Sequence, residues 1–208
     1  MKFISCATVL AAVAAQANGQ QLRRLADSNE LVATFDFDDL QGTVTLSQTE
    51  KQRQQGQAGW SVKITHWNDD ICPGGQLNWH IHEFPGTGIR DGDSGNADGC
   101  AKGVTGGHFD PTFACGGASQ NKANGICDFI NDALTDSYAD CSSDAQYNCE
   151  VGDQSNKMGK VDAQSSSNQI FEDNWITDLD SIEGRSLVFH CCTDSCSPRM
   201  ACANLERA

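Results

Sequence analysis

The chain has 208 residues, a formal net charge of −14 at pH 7 and 38% hydrophobic residues. So acidic a chain excludes nucleic acid and anionic membrane as natural partners. The length suits one domain with a substantial core, and no later segment has the apolar run a membrane anchor needs.

Lys2, the apolar run Phe3–Ala15 and the triplet Ala15-Gln16-Ala17 predict a secretory signal over residues 1–17, and hence a secreted, extracellular protein. Residues 18–30 are polar, contain Arg23-Arg24 and read as a flexible lead-in, followed by one domain over 31–208. Leu31–Phe37, Gly42–Gln48, Gly59–His66 and Leu77–Phe84 are short runs rich in Val, Ile, Thr and aromatic residues, separated by Gly, Asp, Asn and Gln; each predicts a strand. Gly86–Asn148 is a long connection rich in Gly, Asp, Asn and Cys, and a loop of that length is functional or crosslinked. Within it, Asp91–Asp98 lacks the twelfth-position glutamate of a calcium loop and reads as a solvated turn. A helix is expected only over Ile126–Ala133. Ser186–His190 is a further strand. Short strands, tight turns and long loops indicate an all-β antiparallel sandwich or barrel.

Of 11 cysteines, Cys6 leaves with the signal and ten remain. An even number in an exported chain predicts up to five disulfides with the pairing open. Cys191-Cys192 could serve as soft copper ligands, but in an oxidising compartment both are expected in disulfides with different partners.

Five histidines carry the chemistry. His80 and His82 alternate with Leu77, Trp79 and Ile81 along one strand, so both imidazoles share the face opposite the apolar set. In Ser186–His190 the same alternation turns Leu187 and Phe189 inward and His190 outward. His108 sits in Gly106-Gly-His-Phe-Asp-Pro111, where the glycines allow a close loop path and Pro111 stiffens the exit. Imidazole donors suit copper or zinc, and four histidines favour copper over non-haem iron. His66 shares parity with Val62 and Ile64 and is expected to be structural, toward the core or a barrel end.

Trp79-His-Ile-His-Glu-Phe84, Gly107-His-Phe-Asp-Pro111, Gly184–His190 and Pro198-Arg-Met-Ala-Cys202 resemble, in order, the signatures of the copper/zinc superoxide dismutase family, and Gly42–Gln48 is similar to its early hairpin. The resemblance covers roughly residues 31–204. It implies an eight-stranded Greek-key β-barrel of immunoglobulin-like sandwich type, with long disulfide-held loops. It also implies copper on His80, His82, His108 and His190, superoxide as substrate with Arg199 lining its approach, and a Cys100–Cys202 disulfide.

Two departures refine this. In the family the residue matching His108 bridges copper to a zinc ion; here Glu150 stands where a zinc histidine belongs, Asp153 matches the zinc aspartate, and no histidine lies between His108 and Glu150. Zinc is therefore not expected. The stretch between His190 and Arg199 is also short. Both features resemble the copper-only superoxide dismutases of fungi and oomycetes, in which Glu150 and Asp153 would hold His108 through its second ring nitrogen. That resemblance implies that His108 delivers a proton as general acid and that Arg199 orients superoxide by a charge-assisted hydrogen bond. The alternative is an extracellular copper-binding or copper-donating protein on the same scaffold. The oligomeric state stays open.

Overall fold

The computed structural model describes residues 29–89, 97–129, 136–192 and 198–208. The expected signal, residues 18–28 of the lead-in and residues 91–96 of the Asp-rich stretch lie outside them. Among the described residues, ten strands form two five-stranded antiparallel sheets. The first has the order β10 (Glu206–Arg207), β1 (Glu30–Phe37), β2 (Leu40–Ser47), β3 (Ala58–Trp67), β7 (Gln169–Asp173). The second has β5 (Gly88–Ile89), β9 (Arg199–Asn204), β8 (Ser186–Cys191), β4 (Gln76–Ile81), β6 (Val161–Asp162). Among the described residues the sheets do not join at their edges, which corrects the expected closed eight-stranded barrel. Three of the four edge strands, β10, β5 and β6, have two residues each. Edges that short cannot carry a ladder across to the other sheet.

Period-two alternation aims each sheet at a shared core. Leu31, Ala33 and Phe35 from β1 and Trp60, Val62 and Ile64 from β3 face Leu77, Trp79 and Ile81 from β4 and Leu187 and Phe189 from β8. Phe35 meets Phe189 at 4.9 Å between ring centroids, and Trp60 meets Trp79 edge-to-face at 5.2 Å. Each such pair contributes about 0.5–1.5 kcal/mol beyond its buried area. The first sheet keeps a solvated outer face, whereas β8 is buried at all six positions. The long connection after β4 folds over the outside of the second sheet, and that cover turns its outer face into an interior.

Disulfides hold this cover. Cys72–Cys191 and Cys100–Cys202 tie loops to β8 and β9, and Cys115–Cys127 and Cys141–Cys149 close small rings within the connection. Cys192 is disulfide-bonded as well. Of the helix expected over Ile126–Ala133, the described residues carry a 3-10 turn at Cys127–Phe129, and residues 130–133 lie outside the described residues. A helix absent from the sequence expectation, α1 (Glu50–Gln55), follows β2. Thr49 and Gln52 form a reciprocal capping box at its start and Gly56 ends it in the left-handed conformation, a signal legible in Thr49-x-x-Gln52. His66 is exposed rather than inward. A bulge opposite Gln41/Gly42 inserts Thr65 into β3, so the parity that buries Ile64 is reversed before His66 and Trp67.

Candidate metal centre

Three segments and strand β8 build the site. The first is β4 and its continuation through His82. The second is the His108 loop: His108 forms an antiparallel bridge with His82 and a parallel bridge with Ser119. Its amide donates to the Ala118 carbonyl at 2.8 Å, and its carbonyl accepts from Gln120 at 3.0 Å. Gly107 passes so close to this neighbour that a Cβ there would meet the Ala118 carbonyl at 2.7 Å. The third is the turn Cys149–Asp153, which leads into α4 (Gln154–Met158), counted after the one-turn helices α2 (Lys102–Thr105) and α3 (Gln120–Ala123). His190 comes from β8, at a bulge against β9 that pairs it with Arg199.

The structure brings the four imidazoles together. His80 stacks on His108 at 4.1 Å and lies edge-on to His190 at 4.9 Å; His82 is 5.1 Å from His108 and 5.8 Å from His190. Donor atoms of His80, His82 and His190 lie within 4.8 Å of one another, and so do those of His80, His108 and Asp153. The two groups overlap at His80. The Nδ1 of His80 and the Nε2 of His82 are buried without a hydrogen-bond partner, while the His82 Nδ1 is 3.2 Å from the Gly106 carbonyl. Buried ring nitrogens left unsatisfied beside one another cost free energy unless a ligand meets them. Neutral imidazoles in this number fit copper or zinc. Burial, with the fields of His108 and Arg199, lowers the His80 pKa to about 4 and pushes His82 well below its ordinary value. Both rings are therefore neutral, as metal ligands must be, at physiological pH.

The two carboxylates divide their partners. His108 Nδ1 lies 2.6 Å from the Glu150 Oε2; burial alone would lower the His108 pKa, but the Glu150 carboxylate raises it. Asp153, expected to join Glu150 on His108, instead lies 3.5 Å from the Nε2 of His80. Its Oδ1 accepts from the Asn156 amide, as the N-cap of α4, and its Oδ2 accepts from the Tyr138 hydroxyl at 2.6 Å and the Asn156 side chain at 2.8 Å. Burial would raise its pKa; His80, His108 and Tyr138 hold it well below the usual carboxylate range.

Arg199, the first residue of β9, is buried beneath the Cys100–Cys202 disulfide loop. Its Nη1 donates to the Cys100 carbonyl at 3.0 Å and to the Thr105 hydroxyl, and its Nη2 donates to the Gly106 carbonyl at 2.8 Å. That carbonyl is the one facing His82. Desolvation lowers the guanidinium pKa to about 10, so it remains cationic at neutral pH, and its field reaches His80, His82 and His108.

Several supporting residues were not evident from sequence. Asp110 is fully buried and accepts from the Ala114 and Cys115 amides and the Ser119 hydroxyl, fixing the loop that carries His108. Lys157 is fully buried, with Nζ on the Asp173 carboxylate at 2.7 and 2.9 Å and on the Val151 and Trp175 carbonyls at 2.9 Å. Only Asp110 had a visible signal, its place in the Gly-Gly-His-Phe-Asp-Pro segment. Tyr138 and Lys157 resemble any loop tyrosine and helix lysine until the chain is folded.

No protein-family model matches the sequence, and no curated protein does. Solved structures do match in fold. Two are single-substitution variants of superoxide dismutase 5 from Candida albicans. The first is 20% identical with a TM-score of 0.53, covering 86% of this chain and 88% of the other. The second is 20% identical with a TM-score of 0.52, covering 86% of this chain and 92% of the other. With its two antiparallel sheets and the histidine cluster on the loop-covered face of the second, the chain has the superoxide dismutase fold.

Proposed function

We propose that the protein is a secreted, extracellular superoxide dismutase that works through one copper ion held by His80, His82, His108 and His190. One observation carries this reading: four buried imidazoles converge beside a buried arginine that pairs with His190 across the strands and shares the Gly106 carbonyl with His82. Copper, when bound, supplies the one-electron redox chemistry. Two superoxide anions and two protons become one dioxygen and one hydrogen peroxide.

The chain's own residues supply attraction, orientation and protons. The chain carries a net charge of −14, so an anionic substrate depends on local positive potential, which Arg199 provides. Arg199 is fixed by three acceptors and orients superoxide without reorganising. His108 acts as general acid: its Nδ1–H donates to Glu150, which fixes the tautomer, and its Nε2, when released from the metal, would carry the proton to be delivered. Zinc is not part of this site. The His108 nitrogen that a second ion would need faces Glu150 at 2.6 Å, and Asp153 has both oxygens engaged by Tyr138 and Asn156. The two solved Candida variants replace a glutamate and an aspartate three positions apart, the residue types and spacing of Glu150 and Asp153. The four disulfides among the described residues support an oxidising, extracellular location.

The alternative, an extracellular copper-binding or copper-donating protein, requires the imidazoles but gives Arg199 and the Glu150–His108 pair no task. Purified mature chain should bind one equivalent of copper and no zinc, and should accelerate superoxide decay only when copper-loaded. Stoichiometric copper without accelerated decay would favour the carrier reading.

A further inference from the structure

Three of the segments that carry the site, those of His80 and His82, of His108 and of Glu150 and Asp153, close on one another through a ring of three backbone hydrogen bonds. Ile81 donates to the Gly152 carbonyl at 2.9 Å, Gly152 donates to the Phe109 carbonyl at 2.8 Å, and Phe109 donates to the Ile81 carbonyl at 2.9 Å. Ile81 lies between His80 and His82, Phe109 follows His108, and Gly152 lies between Glu150 and Asp153. Each corner of the ring is thus one or two bonds of chain from a residue of the site. The contact tolerates no side chain at Gly152. A Cβ there would meet the Ile81 carbonyl oxygen at 2.4 Å and the Phe109 nitrogen at 2.8 Å, and both are backbone, held by the very bonds in question.

We infer that Gly152 is a positioning residue, whose backbone sets the distance at which Glu150 meets His108; the functional weight of that contact rests on the dismutase reading. The other side of the same turn is fixed by Lys157 on the Val151 carbonyl, so the turn cannot relieve a clash at Gly152 by sliding outward as a unit. A methyl group forces the turn away from Ile81 and Phe109, and the contact that must lengthen is the 2.6 Å one between His108 Nδ1 and Glu150 Oε2. Short charge-assisted hydrogen bonds are strongly distance-dependent.

The test uses metal-free full chain and NMR of the imidazole N–H protons. Wild type should show a far-downfield, slowly exchanging N–H signal that Glu150→Gln shifts, assigning it to His108. Gly152→Ala should lose that signal, whereas Val44→Ala, a core truncation in the first sheet, should keep it despite lower stability. Retention of the signal in Gly152→Ala overturns the inference. Should Gly152→Ala not fold, amide exchange in wild type decides. The Ile81, Phe109 and Gly152 amides should share one opening rate, and a Gly152 amide exchanging at the rate of an open loop overturns it. Neither readout involves copper or turnover. An inactive copper-loaded wild type would therefore sink the dismutase reading and leave the NMR result standing, and the reverse outcome is equally separable.

Discussion

Replacing Lys157 by Met keeps most of the side-chain volume and removes the ammonium. In the native chain Nζ is fully buried and lies within 2.9 Å of four acceptors, two on Asp173 and two backbone carbonyls. After substitution Asp173 retains Trp60 Nε1 at 3.3 Å and the Trp175 amide at 3.0 Å, but no cation. Removing one partner of a buried ion pair costs about 3–5 kcal/mol, because the remaining charge stays desolvated. With a urea slope of about 2 kcal/mol per M, the unfolding midpoint should fall by about 2 M. Lys157→Met combined with Asp173→Asn removes the stranded charge, so the double variant should be more stable than Lys157→Met alone. Urea unfolding of the metal-free chain followed by tryptophan fluorescence reads this directly. A single variant within about 1 kcal/mol of wild type would refute the reasoning, as would a double variant equal to the sum of the singles.

Arg199→Ala should lower turnover and flatten its dependence on ionic strength at unchanged copper content, and stopped-flow decay of superoxide across a salt series measures both. Cys100→Ala with Cys202→Ala should cost about 2–5 kcal/mol, read by thermal unfolding without reductant, and should loosen Arg199, whose guanidinium donates to the Cys100 carbonyl. The metal-free chain should lose stability as the pH falls from about 6.5 toward 4. The folded pKa values of His80 and His82 are depressed, so in that window the unfolded chain binds more protons than the folded one. Glu150, raised chiefly by burial, opposes this as one group against two, and His108, whose pKa is raised, loses its contribution only above about 6.5. A midpoint that rises on acidification in urea unfolding at stepped pH would contradict this sign.

The sequence by itself carried the all-β class, the main strands, and the alternation that places His80 and His82 opposite Leu77, Trp79 and Ile81, because strand parity is local and needs no knowledge of neighbours. The ordered motifs carried the resemblance to superoxide dismutases. Tertiary structure decided what depends on distant segments meeting. Open sheet edges replaced a closed barrel because three edge strands are two residues long. One inserted residue at Thr65 turned His66 outward. Asp153 went to His80 and Tyr138 while Glu150 alone hydrogen-bonded His108. The buried Lys157 and the backbone ring through Gly152 have no sequence signature. A hydrogen bond across dozens of residues is fixed by where the backbone brings its two ends, and that placement belongs to the whole fold.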